Sequence, residues 1–65
     1  MNRIKEIRER QGLTRDQLAD RLGGPITSAT IQRIEDGTIR LDIEKLQEIA
    51  KALGVKSAEL LPPDD

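Results

Sequence analysis

The sequence contains no cysteine, no histidine and no aromatic residue. Without cysteine, neither a disulfide framework nor a cysteine-based zinc site can stabilise the fold, and without histidine the commonest general base and metal ligand is missing. The absence of Phe, Tyr and Trp excludes the stacking of bases on aromatic rings that single-stranded nucleic-acid modules use. There is no apolar run long enough to span a membrane and no signal-peptide pattern, so we expect a cytoplasmic protein.

The remaining composition favours a small domain built by packing aliphatic helices. The chain has 65 residues, so its folded form has little stability to spare. We expect one domain over residues 1–61 and a short polar tail over residues 62–65. Leucine and isoleucine dominate the apolar residues, which suits helix–helix packing.

The charges are unevenly distributed between the two parts of the chain. The net charge is −1, but residues 1–40 carry a net charge of +2 and residues 41–65 a net charge of −3. This asymmetry is weak evidence for an anion-facing N-terminal part, and ordinary solvated charges explain it as well.

Hydrophobic spacing and capping residues predict five short helices and an all-α fold. We expect the first four at residues 3–11, 15–22, 28–36 and 43–53, and the fifth as a turn or two from Ala58. The expected caps are Asn2, Thr14, Thr27, Asp42 and Ser57. Gln17 completes a capping box with Thr14. The core stripes contain Ile4, Ile7, Leu18, Ala19, Leu22, Ile31, Ile34, Leu46, Ile49, Ala50 and Leu53.

The third predicted helix combines a narrow apolar stripe with a small and polar outer face. Ile31 and Ile34 define its buried direction at about 100° per residue. Ser28, Ala29, Gln32 and Arg33 lie on or beside the opposite face. Small residues permit close approach to another surface, and Gln and Arg supply directional donors for base edges or phosphates.

A carboxylate in the same helix lies close to the core boundary. Glu35 is about 70° from the buried direction, and Arg8 shares an inward face with Ile4 and Ile7 in the first helix. We infer that Arg8 and Glu35 form an ion pair, although both side chains reaching water separately is an alternative.

Three spaced stretches carry a family resemblance over residues 3–61. They are "IKEIRERQGLTRDQLADRLG", "TIQRIEDG" and "IEKLQEIAKALGV". Together they resemble the Xre/Cro-type, phage-repressor-like helix-turn-helix family. The resemblance implies a compact five-helix bundle and sequence-specific binding of duplex DNA by a transcriptional regulator, most often a repressor, with the third helix in the major groove.

The resemblance also implies roles for individual residues. Base contacts fall on Ser28, Ala29 and Arg33, with Gln32 close by. Phosphate contacts fall on Arg15, Thr27, Thr38 and Arg40. Arg8 and Glu35 match the internal ion pair of the family.

Two features depart from the family pattern. The turn containing Gly23, Gly24 and Pro25 is about two residues longer than usual. If Ser28 were the cap in place of Thr27, the base-contacting positions would move by one residue. Arg15 stands where the family often has glutamine.

The expected partner is double-stranded DNA, bound by a homodimer that is associated with the nucleoid. Val55, Leu60 and Leu61 form a possible dimer surface, but they serve equally well to close the core. A protein-interaction module that has lost DNA binding is the alternative function. We expect no enzyme activity, cofactor, metal or small-molecule ligand, because no residue pattern supports one.

Overall fold

Helices account for the regular structure of the protein. The computed structural model describes residues 2–62. It contains α1 (Ile4–Arg10), α2 (Arg15–Leu22), α3 (Ser28–Asp36), α4 (Ile43–Leu53) and a 3-10 turn (Ser57–Leu60). No strand occurs over this range. The predicted all-α class is confirmed, α2, α3 and α4 have the predicted bounds, and α1 is one residue shorter than predicted at each end.

The predicted fifth helix is wrong, because Ser57–Leu60 forms a single 3-10 turn. The next residue, Leu61, has extended backbone angles (φ −77°, ψ 155°) and precedes Pro62. The ring of a proline disfavours the α region for the residue before it, so an α-helix cannot continue here. Ser57 is not the cap either. Lys56 holds that position, and its N–H donates to the Glu59 carboxylate at 2.8 Å. Of the expected tail, only Pro62 is among the described residues.

The core is aliphatic and draws on every helical element. Its buried apolar members are Ile4, Ile7, Leu18, Ile31, Ile34, Leu46, Ile49, Ala50, Leu53 and Leu60. Ala19 and Leu22 were predicted to belong to it, but both are only half-buried at its edge. Leu22 ends α2 and borders two surface grooves, so neighbouring elements cover it incompletely.

Polar side chains hold the N-termini of α2 and α4 as predicted. The Gln17 N–H donates to Thr14 Oγ1 at 3.1 Å, and the Thr14 N–H donates to Gln17 Oε1 at 2.8 Å, which completes the capping box. The Lys45 N–H donates to Asp42 Oδ1 at 2.8 Å. That hydrogen bond lowers the pKa of the Asp42 carboxyl, because it favours the charged form.

The long turn between α2 and α3 fixes where α3 begins. Gly23 and Gly24 have positive φ angles of 67° and 65°, which side chains other than glycine rarely adopt. The chain then passes through Pro25 to Thr27, whose hydroxyl accepts a hydrogen bond from the Thr30 N–H at 3.3 Å. Thr27 is therefore the cap of α3, and the register that would follow from a Ser28 cap does not occur.

Asn2 joins the start of α1 to the end of α3. Its Oδ1 accepts a hydrogen bond from the Ile4 N–H at 3.1 Å, and its Nδ2 donates to the Ile34 carbonyl at 2.8 Å. The expected capping contact is thus present, although Arg3 occupies the N-cap position itself. One side chain therefore satisfies the free Ile4 N–H at the start of α1 and adds a second hydrogen bond to the Ile34 carbonyl, which also accepts from the Gly37 N–H at 3.2 Å.

We expect Asn2→Ala to lower the free energy of unfolding by about 0.5–2 kcal/mol, the usual cost of losing a capping side chain. Asn2→Asp is the matched control, because aspartate keeps the acceptor toward Ile4 and loses the donor toward Ile34. Urea denaturation followed by circular dichroism measures both variants. Equal stability of Asn2→Ala and the wild type would contradict the capping role.

Candidate nucleic-acid interface

A buried carboxylate lies between two arginines from different helices. Arg8 Nε of α1 donates to Glu35 Oε2 of α3 at 2.8 Å, and Arg15 Nε of α2 donates to Glu35 Oε1 at 2.9 Å. The Glu35 side chain is only 1% exposed. Arg8 Nη1 also donates to the Leu13 carbonyl at 2.6 Å. Arg8 and Glu35 therefore meet inside the protein, and the alternative in which each reaches water separately does not occur.

The bond from Arg15 to Glu35 was missed by the sequence reasoning, which assigned Arg15 to phosphate alone. The sequence carried no specific signal for this bond, only the general need of a buried carboxylate for hydrogen-bond donors. A buried carboxylate has two oxygens that need donors, and the second contact from Arg8, Nη2 to Oε1, is long at 3.5 Å. Arg15, at the first position of α2, supplies a shorter hydrogen bond to the same oxygen.

An open groove of about 740 Å³ lies over this ion-pair network. Its lining comes from α1, the α1–α2 turn, the start of α2 and the start of α3: Lys5, Arg8, Glu9, Gly12, Leu13, Thr14, Arg15, Asp16, Ser28, Ala29 and Gln32. The groove brings together four residues that the sequence assigned to DNA contacts, namely Arg15, Ser28, Ala29 and Gln32.

The other predicted contact residues do not line this groove. Thr27, Arg33 and Thr38 are exposed at or near the two ends of α3. Arg40 is also exposed, but it borders a second groove of about 260 Å³ that includes Asn2, Gly37 and Leu61. The predicted DNA contacts are thus divided between the start of α2, the start and exposed face of α3, and the segment after Gly37.

The charges on the first groove nearly cancel. Lys5 and Arg15 are opposed by Glu9 and Asp16 along the lining, and Arg8 is paired with Glu35 beneath it. The long-range attraction that a basic surface exerts on DNA is therefore weak here. Any anion bound in this groove depends on directed hydrogen bonds.

One of the three residues predicted for the dimer surface, Leu60, is not available for contact with a second chain. Leu60 is 0% exposed and closes the core, whereas Val55 is half-buried against the core and Leu61 is 45% exposed. Ile43, which was not predicted as a surface residue, is 73% exposed. It begins α4, and helical side chains point toward the N-terminus, so its side chain extends beyond the packed part of the helix.

Neither a membrane span nor a metal cluster was found in residues 2–62. No helix in this range is long and apolar enough to cross a bilayer. No group of three or more carboxylate, histidine or cysteine side chains comes together there as a possible metal site.

We expect Glu35→Leu to destabilise the protein more than Arg8→Met does. Removing Glu35 leaves the buried Arg8 guanidinium without a counter-charge, which costs about 3–5 kcal/mol, whereas removing Arg8 leaves Glu35 paired with Arg15. Urea denaturation of both single variants and of the double variant tests this, and the double variant should recover most of the loss. A larger loss for Arg8→Met would contradict the three-residue network.

The sequence matches the model of the helix-turn-helix protein family over residues 4–60, from the start of α1 to the end of the 3-10 turn. The searches of curated proteins and of solved structures found no match. The matched range contains the ion-pair network and every residue that lines the first groove.

Proposed function

The chain belongs to the Xre/Cro-like helix-turn-helix family of DNA-binding transcription regulators, and we propose that it is a repressor that reads duplex DNA with α3. The observation that carries this proposal is the outer face of α3. Its small and polar residues stay accessible while Ile31, Ile34 and Glu35 anchor the opposite face in the protein. We also propose that the protein is associated with the nucleoid when it is bound to DNA.

The exposed residues of α3 have chemistry that suits the major groove. Ala29, Gln32 and Arg33 are exposed, and Ser28 is half-buried. Glutamine pairs with adenine through two hydrogen bonds, arginine pairs with guanine in the same way, and an alanine methyl contacts the thymine methyl group. Because Thr27 caps α3, these four residues keep the register in which they were assigned to bases.

The residues proposed for phosphate contact lie at the borders of that face. Thr27 is at the start of α3, and Thr38 and Arg40 follow its end. Gly37 has a φ of 83°, and the Thr38 N–H donates to the Arg33 carbonyl at 2.8 Å, so this segment is tied to the helix. Contacts at both ends of α3 fix the position of a recognition helix on the duplex.

We further propose that the chain binds DNA as a homodimer. One domain offers few base contacts, and pairing two domains on adjacent half-sites supplies the missing affinity. Leu61, with a minor contribution from Val55, remains the proposed contact surface, because Leu60 is used in the core.

The mixture of acidic and basic side chains along the first groove favours a second candidate function, the binding of another protein. Glu9 and Asp16 line the groove beside Lys5 and Arg15, which would suit a protein partner with mixed charges. A protein-interaction module of this fold is therefore the second candidate function.

Selection from a random-sequence duplex library, at several salt concentrations, tests the proposal. We expect enrichment of a two-fold motif with half-sites about one helical turn apart, and affinity that falls steeply as salt rises. No retention of DNA at low salt by folded protein would contradict the proposal and favour the interaction module.

Two arginine variants distinguish base contacts from phosphate contacts. We expect Arg33→Ala to cost about 1–3 kcal/mol of specific binding and to relax specificity at one position. Arg40→Ala should weaken binding to all sequences alike and reduce the salt slope by about 0.9, the contribution of one phosphate. Lys51→Ala, which removes an exposed charge from α4, is the control. An unchanged salt slope for Arg40→Ala would refute its assignment to phosphate.

A further inference from the structure

The network around Glu35 contains one carboxylate and two guanidinium groups, so it carries a surplus of one positive charge. The positive charge of Arg8 is balanced inside the protein by Glu35. The Arg8 side chain is only 6% exposed, and it donates hydrogen bonds both to Glu35 and to the Leu13 carbonyl. Arg15 is 33% exposed and lines the groove. The surplus charge is therefore located on Arg15, on the side of the network that an external anion can reach.

Only one of the three guanidinium nitrogens of Arg15 is bonded within the described part of the protein. Nε donates to Glu35 Oε1 at 2.9 Å, and between residues 2 and 62 no hydrogen-bond acceptor is found for Nη1 or Nη2. Those two nitrogens carry four of the five N–H donors of an arginine side chain. Arginine presents such donors in a fixed planar fork, which suits the oxygens of a phosphate group.

We propose that Glu35 is a positioning residue that holds Arg15 by Nε while the Nη groups bind a backbone phosphate of DNA. This inference rests on the proposed DNA-binding function and deepens it. The groove that Arg15 shares with Ser28, Ala29 and Gln32 has almost no net charge, so affinity for phosphate there depends on the direction of the donors. A side chain already fixed by a buried carboxylate loses less conformational entropy when it binds.

The same network explains why arginine and not lysine suits position 15. A lysine ammonium is a point charge at the end of a flexible chain, and it cannot hold Glu35 with one nitrogen while presenting a planar fork with two others. Glutamine at this position would supply neither the charge nor the fork.

Binding of three variants to the duplex enriched in the library selection, measured across a salt series, tests the charge and the planar fork of Arg15. We expect Arg15→Gln to bind about tenfold more weakly at low salt, with a salt slope reduced by about 0.9. Arg15→Lys should keep the salt slope but recover little of the affinity. Lys51→Gln, which removes an exposed positive charge from α4, is the matched control and should bind like the wild type. Wild-type affinity for Arg15→Lys would overturn the inference and leave the proposed function intact.

A double-mutant cycle tests the role of Glu35. Glu35→Gln should weaken DNA binding in the chain that has Arg15 and should have no further effect in the Arg15→Gln chain. An equal loss in both chains would show a merely structural role and would overturn the inference.

Nuclear magnetic resonance of the wild-type chain gives a second readout. It tests whether Arg15 stays bonded to Glu35 when DNA binds, even if Glu35→Gln does not fold. The Arg15 Nε–H signal, identified by its absence from the Arg15→Lys spectrum, should be protected from exchange both with and without duplex DNA. The Nη signals should shift when DNA is added. Loss of Nε–H protection on binding, or unshifted Nη signals, would overturn the inference. Failure of the wild type to bind DNA at all would overturn the proposed function together with it.

Discussion

The buried charge of Glu35 is the constraint on which the arrangement of the N-terminal three helices depends. A carboxylate that is 1% exposed must receive hydrogen bonds from the protein, because burial removes its water. Its donors come from α1 and α2, while the carboxylate itself belongs to α3. Three helices are thereby fixed relative to one another by polar contacts of defined geometry, which aliphatic packing alone would not ensure. The outer face of α3 is held in place by this contact on its inner side.

Small size makes the helix ends as important as the core. The domain has no aromatic side chains and no disulfide, so few large contacts resist unfolding. Long-range polar contacts satisfy several carbonyls that α-helices leave without partners at their C-termini. Gln11, the residue that follows α1, donates from Nε2 to the Leu53 carbonyl at 2.7 Å, and Arg21 of α2 donates from Nη1 to the Ala52 carbonyl at 3.1 Å. These side chains join helices that are distant in sequence.

Local sequence signals were sufficient for α2, α3 and α4, because each has a capping side chain at one end and a glycine at the other. They were insufficient where the outcome depends on tertiary contacts. Sequence periodicity does not show which of the two neighbouring leucines, Leu60 or Leu61, is buried in the core. In the structure Leu60 is buried and Leu61 is exposed. The spacing of α2 placed Leu22 on the apolar face but could not show that its neighbours leave it partly exposed. Arg15 presented a related difficulty, since a motif position assigns a residue to one partner while a long side chain can serve two. The proposed assignments of base and phosphate contacts depend on a duplex and lie beyond what the isolated chain determines.

The charge balance of the chain bears directly on how such a domain could discriminate between DNA sequences. With a net charge of −1 and a nearly neutral groove, little of the sequence-independent attraction that dominates non-specific binding is available. Under the proposed function, affinity comes from donors that are held in the correct direction and from the proposed pairing of two domains. Weak non-specific binding raises the ratio between specific and competing sites, and that ratio governs occupancy of an operator in a genome. A buried carboxylate that holds an arginine at the edge of the proposed recognition helix is consistent with this mode of binding, because the carboxylate adds direction without adding positive charge to the surface.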